Sequence, residues 1–72
     1  MKALSESNGV YVSAAVLQGI RNAQANGNVN KYSVHEVIAS AATIREPEVL
    51  EWLTNHPLQY LDGVFYGFIE KA

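Results

Sequence analysis

The side chains that could do chemistry are few, and their spacing argues against a reaction centre. His35 and His56 are the only histidines, and the chain has no cysteine. A zinc centre takes about four ligands from histidine, cysteine and carboxylate, and no His-x-x-x-His pair offers even the first two. Both histidines have a structural reading: His35 in the first turn of a helix, and His56 at a helix C-terminus, where a positive imidazole is favoured. Ser5, Ser7, Ser13, Ser33 and Ser40 include no Gly-x-Ser-x-Gly elbow. Ser33 stands near His35 as a nucleophile would stand near its base, yet helix capping accounts for it. Glu46, Glu48 and Glu51 suit the positive end of a helix and a solvated face. Catalytic carboxylates need an apolar cleft that drives their pKa values apart, which a domain this small rarely encloses. Asn26-Gly27-Asn28 stops a helix and is not a phosphate-binding loop. The expectation is therefore no enzyme, no catalytic residue, no metal and no cofactor.

The elements that must carry any other function are organised around residues 33–53. Ser33 and Glu36 fit a capping box, in which each side chain reaches the other's backbone N–H. Val34, Val37, Ile38 and Ala41 then follow at the i, i+3, i+4, i+7 spacing of an amphipathic helix. Pro47 disfavours helix at Glu46 but suits the first position of a new one. Val49, Leu50, Trp52 and Leu53 form that second helix's apolar face, and Trp52 is expected to be the largest piece of core. The stretch reads as helix, corner at Arg45-Glu46, helix.

On either side the same periodicity continues. Val12, Val16, Leu17, Ile20 and Ala23 line a first helix that Asn26-Gly27 ends. Ser5, Ser7 and Ser13 are all candidate caps for its start. Val10-Tyr11-Val12 is β-prone, and as a strand its mate would come from 29–34. After Pro57, residues Leu58, Leu61, Phe65, Phe68 and Ile69 form an apolar seam, with Tyr60, Val64 and Gly67 on a neighbouring face. Ala15, Gly19 and Ala23 in the first helix match Gly63 and Gly67 in the last, rows of small residues that would let the two helices cross closely. The predicted fold is all-α: a small bundle of four short helices near 13–26, 34–44, 47–55 and 58–70, with the helix-corner-helix at its centre. All 72 residues make one domain, with 1–9 a loose N-terminal arm.

Composition narrows the partners. The net charge is −2, from 5 basic and 7 acidic side chains, so there is no basic face to expect nucleic acid from. No apolar run approaches the ~18 residues that span a bilayer, and the N-terminus lacks a secretory pattern. A cytoplasmic protein of a bacterium or a phage is expected. Only 17% of the chain is charged, whereas a freely exposed surface carries roughly 25–35% charged residues, so part of the surface is expected to be covered. Tyrosine suits such a contact, with its apolar body and polar tip. The expected function is a small non-catalytic protein-protein interaction domain, a modulator or accessory subunit acting as a homodimer. Its contacts are expected at Tyr60, Gly63, Val64, Tyr66 and Gly67 of the last helix and at Arg45 and Glu46 of the corner.

Two alternatives stand beside it. Helix, corner, helix is also the outline of a DNA-binding helix-turn-helix, although Glu46, Glu48 and Glu51 would face phosphates there. Val37-Ile38-Ala39 with Ala41, then Pro47-Glu48 and Leu50, resembles a stretch of the theta subunit of bacterial DNA polymerase III. The likeness is confined to residues 37–50, with the tryptophan one place out of step. It implies a non-catalytic accessory subunit that contacts an exonuclease, and no functional residue carries over.

Overall fold

The computed structural model describes residues 9–71, so all but Gly9 of the expected N-terminal arm lies outside the described residues. In chain order the elements are β1 (Val10–Val12), α1 (Ala14–Ala25), α2 (Val34–Thr43), α3 (Pro47–Asn55), α4 (Pro57–Tyr66) and β2 (Phe68–Glu70). The chain is mostly helical, as its periodicity implies, and it is not all-α. The β-prone Val10–Val12 is a strand, and its mate is β2 rather than 29–34. The two strands run parallel, with Val10 opposite Phe68, Tyr11 opposite Ile69 and Val12 opposite Glu70.

Each boundary has a local cause. Ser13 is the cap of α1, its hydroxyl oxygen accepting from the Val16 N–H at 3.2 Å. Ser33 caps α2 by accepting from the Glu36 N–H at 3.3 Å. The return half of the expected capping box is absent: Glu36 accepts instead from the Asn30 N–H at 2.9 Å and braces the turn before the helix. The α2–α3 corner is a Schellman turn. The Glu46 N–H donates to the Ala41 carbonyl and the Arg45 N–H to the Ala42 carbonyl, at 3.0 and 3.3 Å. That turn holds Arg45 at φ +61°, a left-handed conformation that a side chain disfavours. Arg45→Gly is therefore expected to stabilise the fold by about 0.5–1 kcal/mol, read as a higher urea midpoint at unchanged slope.

The last helix differs most from expectation. It ends at Tyr66, because Gly67 turns the chain at φ +105°, ψ 146°. The Gly67 N–H donates to the Gly63 carbonyl at 2.7 Å, and the Val10 N–H donates to the Gly67 carbonyl at 3.0 Å. Phe68 then doubles back over Gly63, where a Cβ would overlap its ring. The two small-residue rows do not face one another. Gly19 instead lets α1 approach α3, since a Cβ there would overlap the Val49 side chain. Ala15 and Gly67 are exposed.

The core joins Val12 of β1, Val16, Ile20 and Ala23 of α1, Val37 and Ala41 of α2, Val49 and Leu53 of α3, and Tyr60 of α4. Tyr60 is the largest fully buried side chain. Trp52, expected in that role, is half-buried at the margin, with its ring edge-on to Phe68 at 6.3 Å. Buried Ser40 ties α2 to the end of α1, donating to the Ala23 carbonyl at 2.8 Å and accepting from Asn26 Nδ2 at 3.1 Å.

Candidate interaction surface

The structure separates the seven candidate contact residues into interior and surface. Tyr60 lies wholly inside. Its hydroxyl donates to the Lys31 carbonyl at 2.7 Å and accepts from Gln24 Nε2 at 2.9 Å. Two satisfied hydrogen bonds are what allow a phenol to be buried at this depth. Burial pushes the Tyr60 pKa up, and the Gln24 hydrogen bond offsets part of that rise. Gly63 is buried under Phe68, and Val64 is half-buried. Gly67 is exposed, but its place in the fold is set by its backbone angles. Of the α4 candidates with a large side chain, Tyr66 alone reaches solvent, at 60% exposure.

At the corner, Arg45 is exposed and Glu46 is partly covered. The Glu46 carboxylate accepts from Asn22 Nδ2 at 3.3 Å, and Asn22 in turn accepts from Gln18 Nε2 at 3.1 Å. Glu46 thus braces α3 against α1, a structural use of a residue first read as a contact.

The seam along α4 faces outward. Leu58 is 76% exposed and Phe65 69%, with Leu61 half-buried between them. Tyr32, from the connector before α2, is 56% exposed and lies against Phe65 with ring centroids 5.8 Å apart. Lys31 Nζ sits 5.5 Å from the centroid of the Tyr32 ring. The result is one continuous apolar stripe running two turns of α4 onto Tyr32. Helical spacing in the sequence marks Leu58, Leu61 and Phe65 as sharing a face. It does not say which of α4's two apolar faces turns inward; Tyr60 and Gly63 win because Phe68 folds back onto them.

The groups that could support catalysis lie at the surface. His35, Glu48, Glu51 and His56 are all exposed. A surface cleft of about 310 Å³ lies beside Glu48, Glu51, Trp52 and His56, and another of about 330 Å³ beside Asn28, Val29, Glu36 and Ser40. The Ser40 hydroxyl in the second is already engaged by Ala23 and Asn26. Among the described residues no three of histidine, cysteine, aspartate and glutamate gather as metal ligands. No described helix is long and apolar enough to cross a membrane. The helix-corner-helix is present, but α3 presents Glu48 and Glu51 and has no lysine or arginine to reach a base edge.

Set against profiles of known protein families, curated proteins and solved structures, the chain matches none of them. The likeness of residues 37–50 to the polymerase III theta subunit accordingly assigns no role to any residue.

Proposed function

We propose that this chain is a non-catalytic interaction module whose contact surface is the outer face of α4 together with Tyr32, and that its partner there is a second copy of itself. The observation that carries the reading is the stripe of Leu58, Leu61, Phe65 and Tyr32, apolar and largely open to water. With Tyr66 beside it, the stripe offers on the order of 500 Å² per chain if each large side chain buries its exposed part. A standard interface takes roughly 800 Å² from each partner, so the stripe supplies the greater share of one, and its rim can complete it.

A second copy suits this surface electrostatically. With two α4 helices antiparallel about a two-fold axis, the Lys31–Tyr32 end of one chain faces the Leu58 end of the other, within a turn of Asp62. Opposite charges then border an apolar centre, the usual anatomy of a specific contact. The low charge content of the sequence points the same way. Leu58→Lys places an ammonium at the edge of that contact, opposite Lys31 of the other copy. Gel filtration with light scattering is expected to show loss of self-association, with a melting temperature within a few degrees of wild type because Leu58 lies outside the core. A variant that associates as the wild type does would overturn the surface assigned here.

A further inference from the structure

We propose that β2 is an exchangeable strand: two copies trade residues 68–70, each docking them on the other's β1, with Gly67 as the hinge. Everything that holds β2 in place belongs to earlier parts of the chain. The Val10 N–H donates to the Gly67 carbonyl at 3.0 Å and the Lys71 N–H to the Val12 carbonyl at 2.8 Å. The Phe68 ring lies over Gly63, 5.9 Å from the Tyr60 ring and 6.3 Å from the Trp52 ring. A second chain can supply the same strand to the same docking place with no new contact invented. Exchange of identical elements between copies is accordingly a low-cost route to a dimer.

The connection makes the exchange sensitive to one residue. α4 passes into β2 through Gly67 alone, at φ +105°. Glycine takes this conformation freely and other residues do not. Opening the hinge requires only that Gly67 leave this turn. This exchange does not depend on the face-to-face pairing of α4 proposed above.

The absence of cysteine allows a direct test. Tyr11 and Ile69 are register partners on an exposed face, and neighbouring strands lie within disulfide reach. Chains carrying Tyr11→Cys and chains carrying Ile69→Cys are unfolded together, refolded at low and high concentration, and oxidised. The expected result is a disulfide between the two kinds of chain that increases with concentration. Gly67→Ala in both chains strains only the closed turn, and is expected to raise the linked fraction about tenfold. Leu58→Lys, remote from the hinge, is expected to leave it unchanged. The proposal is overturned if the mixture yields no more linked product than Tyr11→Cys chains give alone, while the Tyr11→Cys/Ile69→Cys double variant closes within single chains at every concentration. Should circular dichroism show that Gly67→Ala does not fold, the mixture with the native hinge decides the question.

Discussion

Gly19→Ala is expected to destabilise the fold by about 1–3 kcal/mol, the range for forcing extra volume into a packed core, despite alanine being the better helix former by roughly 1 kcal/mol. The reason is geometric. Gly19 lies where α1 crosses α3, and the new methyl would overlap the Val49 side chain while approaching the Glu46 carboxylate. Val49 is fully buried and cannot swing into solvent. The same contact predicts its own rescue. Val49→Ala alone should cost stability by leaving a cavity, yet Gly19→Ala/Val49→Ala should be more stable than the two single losses added together. A double-mutant cycle by urea denaturation reads this coupling; strict additivity would mean that α1 and α3 do not meet at these residues.

Tyr60→Phe is the second large effect. Removing the hydroxyl leaves the Lys31 carbonyl without its donor and the Gln24 amide without its acceptor, an expected cost of about 1–3 kcal/mol. The effect also has a pH signature. Burial raises the folded-state pKa of Tyr60 above its ordinary value of 10.0, so the unfolded chain loses that proton first. This contribution to stability is whole below about pH 10 and is lost as pH rises through the elevated folded value. Denaturation midpoints of the wild type should therefore fall more steeply across that window than those of Tyr60→Phe. Absorbance at the phenolate band should show a late-titrating tyrosine in the wild type that the variant lacks.

Much of the fold was legible because local chemistry and periodicity agree. Ser33, Pro47 and Pro57 place three helix starts, and Asn26-Gly27 places a helix end, through interactions spanning only a few residues. What escaped the sequence was set by contacts far apart in the chain. Val10–Val12 carries a strand signal, but its mate, Phe68–Glu70, is distant along the chain and follows a helical pattern. Gly67 could serve equally as a small residue inside a helix or as a turn, and only the pairing of β1 with β2 selects the turn. That choice also fixes the candidate surface. Once Phe68 folds onto Gly63, Tyr60 faces the core and Leu58 and Phe65 are left outside. Glu46 reads as a corner charge until Asn22 is found opposite it.

Sedimentation equilibrium of the native chain beside Phe65→Asp, without prior unfolding, tests most directly whether the outer face of α4 is a self-association surface. Both chains keep Gly67 and β2 unchanged, so a difference in mass between them reports on the helix face. The wild type should pass from the mass of one chain to that of two as concentration rises, and Phe65→Asp should remain at one. A wild-type mass that stays at one chain throughout, or a variant that dimerises alongside it, would contradict the account.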